Sequence, residues 1–292
     1  MKPFTRFGVR NAFPELPQPI AWLIDAIPIL GVRKANKILY RISSLEGAAF
    51  LKAFQSQVGV SIQVVNQELI PVTGRTIVPF NHPGGLDVLA ILSAVLEVRK
   101  DARFLTNSLL NLQNIARFLI LVHTTARVKM SPEGKEEMLQ LFAEEGLLIQ
   151  AAAGRNSFRN TVGVIEDTRW TKNLVLWALE YELTIVPTHV TGRNSNRYYE
   201  LREWRERMVA SGNKLLKNIR LEQYLMLSEL VNPVEKHIVV TFGRPVSSDQ
   251  VRSCLKKVNN SPEALAEAFR IFVHQLGSGG SHDFYDWFLA KY

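Results

Sequence analysis

The sequence has almost no cysteine and no long apolar run, and both shortages narrow what the protein can be. Cys254 is the only cysteine among 292 residues, which excludes an internal disulfide and a zinc site built from several thiolates. The longest apolar candidate, IAWLIDAIPILGV (20–32), contains Asp25 and Pro28. It falls short of the roughly 20 apolar residues that a helix needs to cross a bilayer. We expect this segment to lie on a membrane rather than to span one.

Several recognisable signals are also absent. The start of the sequence, MKPFTRFGVRNAF, lacks the continuous apolar stretch and the small-residue cleavage site of a secretory signal. No Gly-x-Ser-x-Gly elbow, Gly-Lys-Ser/Thr phosphate loop or His-Glu-x-x-His zinc motif is present. With a single cysteine, these absences favour a cytoplasmic protein whose chemistry uses none of those three motifs.

Positive charge is in excess and is unevenly placed. The chain has 35 Lys and Arg against 27 Asp and Glu, a formal net charge of +8. Much of the excess lies in residues 193–220, where three tyrosine and tryptophan residues are interleaved with Arg193, Arg197, Arg202, Arg205, Arg207, Lys214, Lys217 and Arg220. Such a segment fits an anionic lipid surface, a nucleic acid surface or a solvated helix face. No helix-turn-helix, zinc-finger or RNP signature supports nucleic acid, and no nucleic-acid partner is expected.

The apolar pattern predicts an α/β fold with a largely parallel central sheet flanked by helices. Residues 19–57 have helical periodicity, and strands and helices alternate after them. The predicted strands are 60–65, 76–80, 102–106, 118–123, 147–151, 183–190 and 237–242, and the predicted helices are 86–98, 131–146, 171–182 and 261–275. A polar stretch (276–286) is expected to close the chain. We predict an N-terminal helical extension (1–58) and one α/β domain (59–292).

The stretch FNHPGGLDVLA (80–90) contains the strongest chemical signal. His82 is predicted at the carboxyl end of a strand, Gly84 and Gly85 in a tight turn, and Asp87 in the first turn of a helix. Ligands bind at this edge of open α/β sheets. A histidine oriented by a carboxylate can act as a general base, and turn amides can stabilise an oxyanion. The alternative is a hydrogen-bonded turn histidine and a carboxylate that only stabilises the helix start.

The His82–Asp87 stretch belongs to an ordered set of short segments that resembles a known family. NHPGGLD (81–87) resembles the first motif, N-H-x-x-x-x-D, of the glycerolipid acyltransferase superfamily. In the expected order follow AAAGRNS (151–157), in the place of a Phe-Pro-Glu-Gly-Thr-Arg-Ser motif, and TIVPTHV (184–190). The closer resemblance is to the hemolysin-like or ornithine-lipid acyltransferase branch, through RFLTNSLL (103–110), DTRW (167–170), VTGRNS (190–195) and TFGRPV (241–246).

The resemblance implies a fatty acyl transfer from acyl-CoA or acyl carrier protein to the hydroxyl of a lysolipid. His82 would be the general base and Asp87 its orienting partner, with no acyl-enzyme, cofactor or metal. The acceptor would be lysophosphatidic acid or a lyso-ornithine or other amino-acid lipid. The alternatives are a catalytically inactive lipid-binding or acyl-binding protein on the same scaffold, and transfer to a non-lipid alcohol or amine.

The third motif departs from the family pattern, because Ala152 and Ala153 replace the usual Pro and Glu. This departure leaves the acceptor headgroup open, and Arg155 or Arg159 could bind it in a shifted geometry or simply face solvent. In the second-motif region, Arg127 and Lys129 are headgroup candidates or plain surface charge. The predicted substrate-binding residues are Asn81, Gly84, Gly85, Arg127, Gly154, Arg155, Ser157, Arg159 and Pro187.

The N-terminal helices are expected to dock the enzyme on the inner face of the membrane. Trp22, Ile24 and Ile27 would enter the lipid interface, and the basic segment 193–220 would bind anionic headgroups. The alternative places the three side chains in the ordinary core. His123 and His189 lie within predicted strands and are expected to be structural.

Overall fold

The computed structural model of the chain describes residues 17–27, 31–84, 86–106, 112–122, 130–213 and 221–292. Within these ranges the first three helices are α1 (Gln18–Asp25), α2 (Val32–Arg41) and α3 (Gly47–Val58). The helical prediction for residues 19–57 is confirmed. One face of α2 and one of α3 are buried in the same apolar cluster as the central sheet. These two helices therefore pack directly on the α/β domain.

Strands and helices then alternate as the sequence pattern predicts. The strands are β1 (Ser61–Val65), β2 (Thr76–Phe80), β3 (Arg103–Thr106), β4 (Leu119–Leu121), β5 (Leu147–Ala151), β6 (Phe158–Arg159), β7 (Ile165–Glu166), β8 (Thr184–Ile185), β9 (Thr188–Val190) and β10 (His237–Phe242). The helices are α4 (Asp87–Val98), α5 (Pro132–Ala143), α6 (Asn173–Glu180), α7 (Asn196–Ala210), α8 (Leu221–Glu229), α9 (Ser248–Lys257), α10 (Pro262–Gly277) and α11 (Phe284–Lys291).

Strands β6 and β7 pair antiparallel as a separate hairpin, and the other described strands form one large sheet. The order in the large sheet is β1-β10-β9-β2-β5-β3-β4, with β8 also pairing with β2. All these pairs are parallel except β10 with β9. Strand β2 is central and pairs with β5 along its whole length, from Thr76 opposite Leu147 to Phe80 opposite Ala151. The carboxyl ends of β2 and β5 therefore meet at the same edge of the sheet, which brings the turns that follow them together.

Apolar cores cover both faces of the sheet, as the pleat requires. On β2, Ile77 belongs to the cluster beneath α6, α9 and α10, whereas Val78 and Phe80 belong to the cluster beneath α2, α3 and α4. Both clusters are made of almost fully buried side chains, each of which stabilises the fold by roughly 1.5–3 kcal/mol. The prediction of a largely parallel sheet flanked by helices is confirmed.

Two local predictions were wrong. The strand predicted at 183–190 is divided into β8 and β9, because Pro187 has no N–H to donate to a neighbouring strand. The chain also ends in a helix, α11, rather than in a polar stretch, because Phe284 and Phe288 lie four residues apart on one face and are fully buried. Within the described ranges, no helix is long and apolar enough to span a membrane.

Candidate active site

The predicted histidine and aspartate form a close pair at the carboxyl edge of the sheet. His82 follows the buried strand β2, and Asp87 is the first residue of α4. The Nδ1 atom of His82 lies 2.7 Å from Oδ2 of Asp87. The Asp87 side chain is 1% exposed, whereas that of His82 is 16% exposed. The carboxylate is thus enclosed and the imidazole is partly open to solvent.

Main-chain donors fix the Asp87 carboxylate in place. Its Oδ2 also accepts a hydrogen bond from the Gly84 N–H at 3.0 Å, and its Oδ1 accepts from the Val88 N–H at 2.6 Å. A carboxylate that accepts at the His82 Nδ1 makes that nitrogen the proton-bearing one in the neutral ring. The other ring nitrogen, Nε2, then carries the lone pair that can take a proton.

The environment of His82 favours its protonated form. Burial by itself lowers the pKa of His82, but the charge of Asp87, the hydrogen bond to Asp87 and the charge of Asp167 together outweigh burial. The net result is a pKa raised above the usual 6.5. An imidazolium formed during a reaction is therefore stabilised from two sides.

The turn between the two residues is closely packed. A Cβ atom on Gly84 would lie 2.9 Å from the carbonyl carbon of Arg193, so only glycine fits without a shift. In the sequence, the turn amides are candidate donors to an oxyanion. The Gly84 N–H is not free for this role, because it is already hydrogen-bonded to Asp87. The predicted residue Gly85 lies outside the described residues.

Asn81 joins the turn to a neighbouring strand. Its Nδ2 donates to the carbonyl oxygen of Val190 at 2.9 Å, and its Oδ1 accepts from the Val190 N–H at 2.7 Å. The side chain is 3% exposed. Both ends of the amide are therefore used to hold β9 beside the end of β2.

The loop after β5 lies directly against His82. The N–H of Ser157 donates to the carbonyl oxygen of His82 at 2.7 Å, and Ser157 is 1% exposed. Gly154 has a φ of +66°, which favours glycine at this turn. Ala152 and Ala153, which replace the Pro and Glu of the family pattern, are buried. The third-motif region and the first-motif turn thus form one site, as the sequence predicts.

The two headgroup candidates in this loop differ. Arg155 is exposed, and no hydrogen bond or ion pair of its side chain is found within the described part of the chain. Arg159 instead makes a bidentate ion pair, with Nε and Nη2 at 2.8 and 3.2 Å from the carboxylate oxygens of Glu203. Arg155 is therefore the guanidinium available to a ligand, whereas Arg159 would first have to leave Glu203.

Helix α7 supports both loops, a role that the sequence did not reveal. The hydroxyl of Tyr199 donates to the carbonyl oxygen of Pro83 at 3.3 Å. Arg202, 8% exposed, donates to the carbonyl oxygens of Asn156 and Ser157. Arg205 is bonded to the buried Glu222. Arg202 and Arg205 are therefore internal residues, and assigning them to a lipid or nucleic acid surface or to a solvated face was wrong.

Asp167 is a second buried carboxylate beside His82. It is 2% exposed and accepts from the His82 N–H at 3.2 Å, from Ser157 Oγ at 2.5 Å and from Trp170 Nε1 at 2.9 Å. Sequence reasoning placed this residue in the DTRW segment without giving it a role. Its position 85 residues after His82 gives no local signal of the contact.

Pro187 is the remaining substrate-binding candidate within the described residues. Pro187 is buried, and its carbonyl oxygen accepts from the Gly243 N–H. Arg127, Lys129 and His123 lie outside the described residues. The structural prediction for His189 is confirmed, because its ring packs against α10, where a Cβ on Gly277 would lie within 2.4 Å of it.

The geometry suits a general base, and the residues that the structure describes offer it no protein nucleophile. Among the described residues, no hydroxyl or thiol is hydrogen-bonded to the His82 ring, since Ser157 Oγ is directed to Asp167 and to the His82 main chain. Cys254 is buried in the core beneath α6 and α10. The described residues also contain no group of three or more metal-ligating side chains. Within the described part of the chain, this arrangement leaves the attacking group to a substrate.

Comparison with known proteins identifies the family. A family model described as "Acyltransferase" matches residues 19–260. Two curated relatives, from Bacteroides thetaiotaomicron and Phocaeicola vulgatus, are both called lyso-glycine lipid O-acyltransferase. They are 29% and 28% identical to this chain over 204 residues, which is 68% of this chain and 71% and 69% of theirs.

A solved structure with a related function is a distant match. The crystal structure of a 1-acyl-sn-glycerophosphate acyltransferase, PlsC, from Thermotoga maritima has a TM-score of 0.44 and 13% identity, covering 88% of this chain and 93% of that chain. A likeness of this degree adds nothing to the assignment. The family match spans most of the sequence and includes both the His82 turn and the loop after β5. The chain therefore belongs to this acyltransferase family, and the protein is an acyltransferase.

Proposed function

We propose that this acyltransferase moves a fatty acyl group from a thioester donor to the free hydroxyl of a lysolipid, with His82 as the general base. The observation that carries the proposal is the 2.7 Å contact between His82 Nδ1 and Asp87 Oδ2, which leaves Nε2 as the proton acceptor on a partly open ring. The names of the two curated relatives, both lyso-glycine lipid O-acyltransferases, support a lysolipid acceptor.

The reaction follows from this geometry. Nε2 of His82 takes the proton of the acceptor hydroxyl while the hydroxyl oxygen attacks the carbonyl carbon of the thioester. The tetrahedral intermediate collapses, the carbon–sulfur bond breaks, and the thiolate leaves with the proton that His82 returns. The products are an ester and a free thiol, and the enzyme is unchanged. Asp87 holds the ring in the required tautomer and stabilises the imidazolium between the two steps.

The loop after β5 suits an anionic headgroup, and the names of the two curated relatives favour an amino-acid lysolipid as the acceptor. Ala153 provides no carboxylate where the family pattern has glutamate, and Arg155 provides an exposed guanidinium in the same turn. A guanidinium binds a carboxylate or a phosphate in a bidentate manner. A glycine-type headgroup with a free carboxylate fits this arrangement, and lysophosphatidic acid is the competing acceptor with the same charge chemistry.

The enzyme reaches its acceptor at a membrane surface through its first two helices. Ile20, Trp22, Leu23 and Ile27 are 44–72% exposed, so placing Trp22 and Ile27 in the core was wrong. The side chain of Ile24 lies outside the described residues. Helix α2 has four exposed basic residues and no acidic one: Arg33, Lys34, Lys37 and Arg41. An apolar helix beside a basic one is suited to an anionic bilayer surface.

The experiment incubates purified protein with a thioester donor and a panel of phosphorylated and amino-acid lysolipids. The donor is either acyl-CoA or an acylated acyl carrier protein. Mass spectrometry then identifies any new diacyl product. We expect an ester product with wild type, and a rate about 10²–10⁴-fold lower with His82→Ala, the usual range for a lost general base. His237→Ala, on the exposed face of β10, is the matched control and should retain activity. Equal rates for His82→Ala and wild type would contradict the mechanism.

A further inference from the structure

The backbone of His82 is held on both sides by one loop segment. Its N–H donates to Asp167 Oδ1 at 3.2 Å, and its carbonyl oxygen accepts from the Ser157 N–H at 2.7 Å. Ser157 and Asp167 lie at the two ends of the β6–β7 hairpin. Both main-chain polar groups of the base are thus fixed by the hairpin rather than by the strand that carries His82.

The hydroxyl of Ser157 completes this connection. It lies 2.5 Å from Asp167 Oδ1 and 3.1 Å from the His82 carbonyl oxygen, but it has only one proton to donate. The shorter distance and the charge of the carboxylate favour Asp167 as the acceptor. Trp170 Nε1 donates to the other carboxylate oxygen at 2.9 Å. Asp167 therefore accepts three hydrogen bonds, one of them from His82 itself.

The charge of Asp167 is not neutralised by a direct ion pair within the described residues. Arg270 donates to the main-chain oxygen of Asp167 at 3.4 Å and pairs with Glu267 and Glu166. His274, on the same helix as Arg270, also interacts with the charge of Asp167, and burial lowers the pKa of His274. A buried carboxylate is costly unless its hydrogen bonds compensate. Its negative charge also acts on the His82 ring, together with that of Asp87.

We propose that Asp167 is a positioning residue for acyl transfer, which holds the His82 main chain against the hairpin and stabilises the imidazolium through its buried charge. This inference rests on the proposed role of His82 as general base. Asp87 sets the tautomer at Nδ1, whereas Asp167 fixes the backbone from which the ring extends. Asp87 thus acts on the His82 ring through a hydrogen bond, whereas Asp167 acts through the His82 main chain and through its charge.

The test compares Asp167→Asn with wild type in two measurements. Nuclear magnetic resonance of protein labelled with ¹⁵N-histidine follows the titration of His82 without any substrate, and His82→Ala assigns its signals among the six histidines. Steady-state kinetics give kcat, KM and the pH profile. We expect the His82 midpoint to move to lower pH, because the imidazolium loses a stabilising charge. We also expect kcat to fall about tenfold with little change in KM.

Two further variants separate charge from folding. Asparagine at 167 turns an N–H donor toward Trp170 Nε1, so Asp167→Asn combined with Trp170→Phe removes this conflict if the single variant unfolds. Glu166→Gln removes the neighbouring carboxylate, which does not act on His82, and should leave both the midpoint and kcat unchanged. An unchanged His82 midpoint and pH profile in folded Asp167→Asn protein would overturn the inference. Because the titration needs no lysolipid, an error in the acceptor would leave this result intact.

Discussion

Nη1 of Arg202 lies 3.0 Å from the carbonyl oxygen of Ser157, which connects helix α7 to the loop that packs against His82. The same nitrogen is 3.0 Å from the carbonyl oxygen of Asn156, and Nε is 3.0 Å from the carboxylate of Glu206. A single turn of α7 thus presents Tyr199 to the first-motif turn and Arg202 to the third-motif loop. The helix positions the two loops relative to each other.

Removing the Arg202 guanidinium should weaken both activity and stability. Arg202→Ala leaves the Asn156 and Ser157 carbonyl oxygens without this donor, and a lost buried hydrogen bond costs about 1–3 kcal/mol. We expect a lower free energy of unfolding in urea and a kcat reduced about tenfold or more. Arg207→Ala, an exposed residue of the same helix, is the control and should behave like wild type. Wild-type kcat in Arg202→Ala would show that α7 does not position the loops.

The sequence predicted the first-motif pair because the relevant signals are local. A buried apolar strand, a glycine turn and a helix start place His82 and Asp87 within five residues, and the structure has β2 and α4 close to the predicted bounds. Parallel pairing of β2 with β5 then brings AAAGRNS to the same edge. Periodicity placed both segments at strand ends, but their association in one site was implied by the family resemblance, because periodicity does not specify which strands pair.

The supporting residues were not predicted because their partners are remote in sequence. Tyr199 contacts Pro83 across 116 residues, and Arg202 contacts Ser157 across 45. In sequence, the arginines of α7 resemble those of any solvated basic helix, and only the packing against the loops distinguishes them. The spacing of three between Tyr199 and Arg202 places them on one helix face, but no sequence signal indicates what that face meets.

The pH dependence of turnover should depend on Asp87. A general base must be neutral to act, so kcat/KM should rise with pH through the pKa of His82, which is raised above 6.5. In Asp87→Asn the loss of charge should move this rise to lower pH. The plateau should also fall, by up to about 10⁴-fold if the wrong tautomer results, as in serine proteases.

Rate measurements from pH 5 to 9 with saturating and limiting acceptor would show this pattern. Asp101→Asn removes a carboxylate that pairs with Arg99 and is the charge control, with an unchanged profile expected. A rise at the same pH in Asp87→Asn and wild type would contradict the inference that the charge of Asp87 raises the pKa of His82.

His189 should make the fold less stable in acid. Burial, with a smaller contribution from the charge of His274, lowers the pKa of His189 to about 4. As the pH falls below about 6.5, the unfolded chain binds a proton at His189 that the folded chain does not bind until about pH 4. Stability contributed by neutral His189 is therefore lost over this interval.

Urea unfolding of wild type and His189→Gln at pH 7.5 and pH 5 measures this contribution. When the pH falls from 7.5 to 5, we expect the free energy of unfolding to decrease by about 1–2 kcal/mol more in wild type than in the variant. His237→Gln, at an exposed position of β10, is the matched histidine control and should show the wild-type loss. The same loss in His189→Gln would mean that His189 binds protons equally in the folded and unfolded states.

The exposed apolar side chains of α1 should determine binding to lipid. Trp22 is 62% exposed and Leu23 is 72% exposed, and both precede the basic helix α2. Replacing both with glutamate removes apolar area and adds repulsion from an anionic surface. We expect the affinity of the double variant for anionic vesicles, measured by co-sedimentation, to fall at least tenfold. Its turnover of short-chain acceptors that dissolve as monomers should be retained.

Salt and position provide the controls for this experiment. Wild-type binding should weaken as ionic strength rises, because the Debye length shortens from about 10 Å at 0.1 M to about 3 Å at 1 M. Val162→Glu, at a site 80% exposed in the β6–β7 hairpin, tests whether any added charge has the same effect. Equal loss in both variants would assign the effect to net charge, whereas loss confined to the Trp22 and Leu23 variant would locate the docking surface on α1.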